Sequence, residues 1–255
     1  MDFVKIHGYK SFKKIAVCLH PINLLIGANG AGKSNFLSLF EMLGNLYEKR
    51  LASYVAQMGG VNKFFYQGLK QTEKIEIEIG QKLNSYVLSL MESDGKLLIA
   101  HEKLGYSYFG QLSTVDIGKY QEEAGLKDYD GMRRGDYIKG YISQIRKFHF
   151  HDTGRRSPFT ADSHIVNDAY RMYEHDENLA AILYRIQREK PMAYHRIIRV
   201  IQSVAPYFSD FYFQPTEADM VRLQWQDKYS SMIYGPTDLS DGTIRFIALT
   251  VLFMQ

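Results

Sequence analysis

The densest chemistry in the sequence lies in eight residues, Gly27-Ala28-Asn29-Gly30-Ala31-Gly32-Lys33-Ser34, which fit G-x-x-x-x-G-K-[ST] at every fixed position. Glycines at 27, 30 and 32 let the backbone turn so that successive N–H groups converge on phosphate oxygens. A helix leaving the loop adds the partial positive charge of its N-terminus. The pattern assigns Lys33 to the β- and γ-phosphates and the Ser34 hydroxyl to one place on Mg²⁺. The candidate ATP-phosphate site is therefore Gly27, Asn29, Gly30, Ala31, Gly32, Lys33, Ser34 and Asn35, with ATP and Mg²⁺ as cofactors. The competing reading is a glycine-rich turn that binds nothing. A chance match in a chain of this length is on the order of one in a hundred.

A strand must lead into such a loop and a helix must leave it. INLLIG, Ile22 to Gly27, is a nearly continuous apolar run and predicts a strand buried on both faces. Phe36, Leu39, Phe40 and Leu43 follow at helical spacing. Val4 and Ile6 alternate as a strand does, as do Ile15, Val17 and Leu19, and Ile75, Ile77 and Ile79. A hairpin is predicted around Asp94-Gly95. Residues 111–145 are mixed, with a helix carrying Ile138, Tyr141, Ile142 and Ile145, and Arg146 to Asp152 alternates like a strand. Leu179, Ile182, Leu183 and Ile186 mark one helix, and Pro191 opens another with Tyr194, Ile197, Ile198 and Ile201. Phe211 and Phe213, then Val221, Leu223 and Trp225, predict two strands, and a last helix begins near Ser240. The fold class is α/β.

A second anion-binding feature is Leu239-Ser240-Asp241-Gly242-Thr243. A serine at a helix start caps it, and the N–H groups beside it face outward. Taken alone, this is equally an ordinary helix cap. His149, His151 and Asp152 stand together, and His149 and His151 share a strand face, as a metal site would need. Hydrogen-bonded histidines at a half-buried strand end explain them better, because no third ligand stands at suitable spacing. The pairs Arg133-Arg134 and Arg155-Arg156, with Arg185, Arg188, Arg196 and Arg199, suit DNA phosphates or simply solvated surfaces. Gln67 precedes the main hairpin and is a weak candidate.

Together the two motifs carry a resemblance. LSDGT resembles the LSGGQ-type signature of ABC-class ATPases, with Asp241 and Thr243 as departures. The opening strand, the Lys10-Ser11-Phe12 turn and the loop Gly27 to Asn35 resemble the N-terminal lobe of RecF-like and SMC-like ATPases. The closest likeness is to bacterial AAA-type members without long coiled coils. The resemblance implies a P-loop NTPase fold, the ABC-ATPase head. It would comprise an antiparallel β-rich lobe one (1–110), a mainly helical insertion (111–205) and an incomplete second lobe (206–255), forming one composite domain. It implies that Ser240, Asp241, Gly242 and Thr243 contact ATP bound by a second head, in a homodimer or with a partner chain. It also places Lys10, Ser11, Phe12, His151 and Asp152 near the site. DNA repair, chromosome maintenance or anti-phage defence are the outputs implied, with DNA as a partner not established.

Such a head needs an apolar strand ending in Asp-Glu after the signature helix, for Mg²⁺ and for the attacking water. The nearest match, Leu97 to Glu102, has His101 in place of the Asp and precedes the signature. The chain is therefore expected to end before that strand, to bind nucleotide and to hydrolyse it poorly or not at all. Ile244, Ile247, Ala248, Val251 and Leu252 are expected to need cover from the missing strand. The alternatives are a non-catalytic or split P-loop subunit completed by a partner, and, third, a small-molecule kinase. A net charge of +3 argues against binding nucleic acid through charge alone. One cysteine, Cys18, excludes an internal disulfide framework. No apolar run approaches the ~20 residues of a membrane span, so no membrane partner and a cytoplasmic location are expected.

Overall fold

Alternation decides the first sheet. In β1 (Phe3–Tyr9), Val4 and Ile6 are buried while Lys5 and His7 face water, and in β3 (Lys74–Gln81) Ile75, Ile77 and Ile79 are buried. With β2 (Phe12–Cys18), β4 (Asn84–Ser93), β5 (Lys96–Tyr108) and β6 (Gln111–Gln121) they form an antiparallel sheet in the order β2-β1-β3-β4-β5-β6. The outer face carries charged cross-strand pairs such as Lys5–Glu78 at 2.9 Å. The β4–β5 hairpin turns at Asp94-Gly95, both left-handed (φ 51° and 76°), as expected for that pair.

The computed structural model describes residues 1–108, 111–131, 133–148, 158–173 and 177–254. It divides into two units, Met1–Arg146 and Lys147–Gln255. In the first unit the inner sheet face shares one core with α1 (Lys33–Tyr47), α2 (Leu51–Gln57) and α3 (Arg133–Ile142). Helix α1 contributes Phe36, Leu39, Met42, Leu43 and Leu46, and α3 contributes Ile138 and Ile142. Residues 111–121, assigned from the sequence to a helical section, are instead strand β6. Their polar composition fits an edge strand, which gains its order from ladder bonds to β5.

The expectation for INLLIG is overturned. The run lies outside every strand, and Ile22, Leu24 and Ile26 are 77–84% exposed. A strand buried on both faces needs neighbours, and here the chain is bent at its start instead. The Asn23 side chain accepts from the His20 N–H (2.9 Å) and donates to the His20 carbonyl (2.6 Å).

The second unit contains β7 (Ser163–His164), α4 (Leu179–Glu189), α5 (Pro191–Val204), β8 (Phe208–Tyr212), β9 (Met220–Val221), β10 (Gln224–Asp227), β11 (Ile233–Tyr234) and α6 (Asp241–Met254). Strands β11-β10-β8 form one small sheet and β7-β9 a ribbon. Pro191 opens α5 as expected, because a helix's first residue needs no N–H donor. Within this unit α6 packs on α5 and α4. Ile244, Ile247, Ala248 and Val251 are already buried there and Leu252 is half-buried, so no further strand is needed to cover them. The outward apolar residues of α6 are Leu249 and Phe253, 40% and 72% exposed. Of the predicted strand at 146–152, residues 146–148 are not in a strand and the rest lie outside the described residues. No helix among the described residues is long and apolar enough to cross a membrane.

Candidate functional site

Helix α1 starts at Lys33 behind Gly32, whose φ of 92° is left-handed; no side chain caps the helix and its first turn carries no acid. Its first N–H groups are thus left for a ligand, with no acid of that turn competing. Gly30 is also left-handed (φ 83°), and the Ala31 N–H closes the loop on the Ala28 carbonyl at 3.2 Å. Lys33 bends back over the loop, its Nζ donating to the carbonyls of Gly27 (2.7 Å) and Ala28 (2.8 Å). Ser34 is exposed, and its hydroxyl makes no hydrogen bond among the described residues.

The Lys10-Ser11-Phe12 turn braces this loop. A Cβ on Gly32 would stand 2.8 Å from Ser11 Oγ and 3.3 Å from Phe12 Cζ, so the close approach requires glycine there. Asn35 Nδ2 donates to Ser11 Oγ at 3.0 Å. Lys10, left-handed at φ 46°, donates to Ser38 Oγ at 2.8 Å and lies over the rings of Tyr9 and Phe64. The Ser38 hydroxyl gives its proton to the Asn35 carbonyl (2.8 Å), so Tyr9 OH, 3.0 Å away, is the donor to Ser38. Burial pushes the Tyr9 phenol well above its ordinary range, which keeps that proton in place. The hairpin turn and the first turns of α1 are thus one hydrogen-bonded piece.

Two clefts flank the loop. One, of about 250 Å³, is apolar, with Phe12, Val17, Leu25, Ile26 and Phe36 beside Lys33. The other, of about 450 Å³, is lined by Lys10, Ser11, Asn35, Met58, Lys63 and Phe65. No carboxylate of the described residues lines either. Lys63 escaped the sequence reading; the Gly59-Gly60 pair just before it was the available signal.

The signature residues lie in the second unit. Ser240 Oγ accepts the Thr243 N–H at 3.2 Å and stands 2.8 Å from Thr243 Oγ1, while the Ser240 carbonyl accepts from Ile244 N at 3.0 Å. That is a working cap for α6. Asp241 and Gly242 are exposed, and a Cβ on Gly242 would meet nothing closer than Ser240 Oγ at 4.0 Å, so packing within the unit does not call for glycine. Each motif is formed within its own unit. His149, His151, Asp152, Arg155 and Arg156 lie outside the described residues.

Glu102, the nearest match to a catalytic acid, is structural. It is fully buried, and its carboxylate accepts from Tyr86 OH (2.6 Å), Gln121 Nε2 (2.6 Å) and the N–H groups of Gly125 (2.8 Å) and Leu126 (3.0 Å). Arg185 serves the fold too: its Nε donates to the Ala169 carbonyl at 2.8 Å and its guanidinium stacks on Tyr170.

A family model described as an AAA ATPase domain matches residues 1–179. None of the curated proteins compared matches the chain.

Proposed function

The chain belongs to the AAA ATPase domain family, and from that premise we propose that residues 27–35 bind ATP with Mg²⁺ in the first unit. The observation that carries this reading is the uncapped, acid-free N-terminus of α1, set behind two left-handed glycines with the Lys33 ammonium bent over it. That arrangement offers N–H groups and one cation to a polyphosphate, with no acid in the helix's first turn to compete. The Lys33 ammonium exchanges its two carbonyl partners for β- and γ-phosphate oxygens. Ser34, with its hydroxyl uncommitted, is suited to hold the metal, and bound Mg²⁺ would neutralise charge between those phosphates. Asn35, tied to Ser11, keeps the first turn of α1 in place during binding.

Hydrolysis needs a base to position water, and among the described residues neither cleft beside the loop has a carboxylate in its lining. This favours a chain that binds nucleotide and is completed by acids from elsewhere, in a RecF-like or SMC-like head dimer or a split assembly. Ser240 to Thr243 then supply an exposed helix start to ATP on a second head, for which the unpacked Gly242 is suited. DNA repair or anti-phage defence is the output proposed for that dimer.

The test is calorimetric titration of ATP with and without Mg²⁺, on the wild type, Lys33→Ala and Ser34→Ala, with sizing in parallel. Lys33→Ala is expected to weaken ATP binding tenfold or more, roughly the value of one charge-assisted phosphate contact. Ser34→Ala is expected to remove the Mg²⁺ enhancement. A wild type that binds no ATP at millimolar concentration, or a Lys33→Ala protein that binds as well, refutes the reading.

A further inference from the structure

The cleft beside α1 contains two ammonium groups with different surroundings. Lys10 is held by Ser38 and by two aromatic rings. Lys63 has no ion pair or hydrogen bond from its Nζ among the described residues, yet its position is built rather than random. It sits on a 3-10 turn, Val61–Phe64, pinned by the buried side chains of Val61 and Phe64. The turn follows Gly59 and Gly60, left-handed at φ 89° and 94°, whose N–H groups bond back to the carbonyls of Ala56 and Val55 at 3.0 Å each. The Lys63 side chain folds back across Gly59, with its Nζ the atom nearest to where a Cβ there would stand, and Cε and Cδ 2.9 Å and 3.2 Å from that point. A glycine in a left-handed conformation at 59 thus leaves room for this side chain, which lines the cleft.

We propose that Lys63 is a nucleotide-positioning residue that binds the α-phosphate of the ATP whose β- and γ-phosphates lie against Lys33. The proposal rests on the P-loop reading above. The cleft is lined by Asn35 and Ser11 but not by Lys33 or Ser34, so it opens on the part of the site that the β,γ-end of the nucleotide leaves unfilled. Among the described residues its polar lining is two ammoniums, a hydroxyl and an amide with no carboxylate, which selects an anion. Met58 and Phe65 add an apolar wall suited to the sugar and base that follow an α-phosphate. Its volume of about 450 Å³ falls in the roughly 300–1,000 Å³ range of small-molecule sites.

Calorimetric titration of Mg-ATP and Mg-ADP against the wild type, Lys63→Ala and Lys63→Arg tests this. Lys63→Ala is expected to weaken both nucleotides by the same factor, roughly tenfold, because both carry the α-phosphate. Lys63→Arg is expected to recover most of that loss by keeping the charge. The unfolding midpoint of Lys63→Ala should stay that of the wild type, since the side chain is exposed. Wild-type binding with an unchanged Lys63→Ala protein, or a loss confined to ATP, overturns the proposal and leaves the P-loop reading standing. A wild type that binds neither nucleotide overturns both.

Discussion

Replacing Glu102 with glutamine removes one charge at constant shape and tests whether this carboxylate is structural. Each carboxylate oxygen accepts from one side chain and one backbone N–H: Oε1 from Tyr86 OH and Leu126 N, Oε2 from Gln121 Nε2 and Gly125 N. The Tyr86 hydroxyl, held protonated by burial and by the nearby carboxylate, and the Gln121 amide can each turn and accept instead. The backbone N–H groups cannot. Whichever way the new amide is oriented, one buried N–H is orphaned, at a cost of about 1–3 kcal/mol. The remaining bonds lose their charge assistance, and such bonds are roughly twice as strong as neutral ones. A net loss of about 2–4 kcal/mol follows, close to a third of a typical domain's stability. For a unit of Met1–Arg146 this lowers the unfolding midpoint by roughly 8–15 °C. Thermal and urea unfolding read the loss, and hydrogen exchange over residues 84–126 localises it to β4, β5, β6 and the turn beyond. Mg-ATP affinity of the folded variant should be unchanged, because Glu102 lines neither cleft beside the P-loop. A loss below about 1 kcal/mol, or a folded variant that no longer binds ATP, would refute the structural assignment.

Gly30→Ala and Gly32→Ala form an informative pair. Both place a side chain at a left-handed φ, costing about 1–2 kcal/mol, but only Gly32→Ala also overlaps Ser11 and Phe12, since nothing lies within 4 Å of a Cβ at Gly30. Titration should show Gly32→Ala binding Mg-ATP about tenfold more weakly than Gly30→Ala; equal losses would count against the bracing role of the Lys10-Ser11-Phe12 turn. Ser240→Ala removes the cap of α6 and should cost the second unit about 1 kcal/mol, seen as lower hydrogen-exchange protection at the start of α6. On the dimer reading it should also abolish ATP-dependent dimers on sizing while leaving ATP binding by the monomer intact; dimers that persist would make Ser240 a cap only.

Local periodicity carried much of the fold into the sequence. Val4 and Ile6, or Ile75, Ile77 and Ile79, declare a strand with one wet face because side chains alternate whatever the strand pairs with. Asp94-Gly95 declares its turn because few residues tolerate two left-handed positions in succession. The loop at 27–34, proposed to bind phosphate, is legible for the same reason: glycine spacing, lysine and serine are all local features. What depends on a neighbour was not legible. INLLIG is apolar enough for a buried strand, but burial requires partners, and Asn23 turns the run aside. The polar residues of β6 became a strand only because β5 offered a ladder. Glu102 faces the core because β5 carries one extra residue, Ala100, between Ile99 and His101, the partners of Leu90 and Ser89, which moves the inward positions from Leu97 and Ile99 to Glu102 and Leu104, and four donors converge on it from distant segments. The sequence alone set the glycine spacing, lysine and serine of the loop proposed to bind phosphate, because they are contiguous. Tertiary structure alone decided that Ser11 braces that loop and that Lys63, 30 residues beyond Lys33, joins Asn35 in one cleft, because only folding turns separation along the chain into contact.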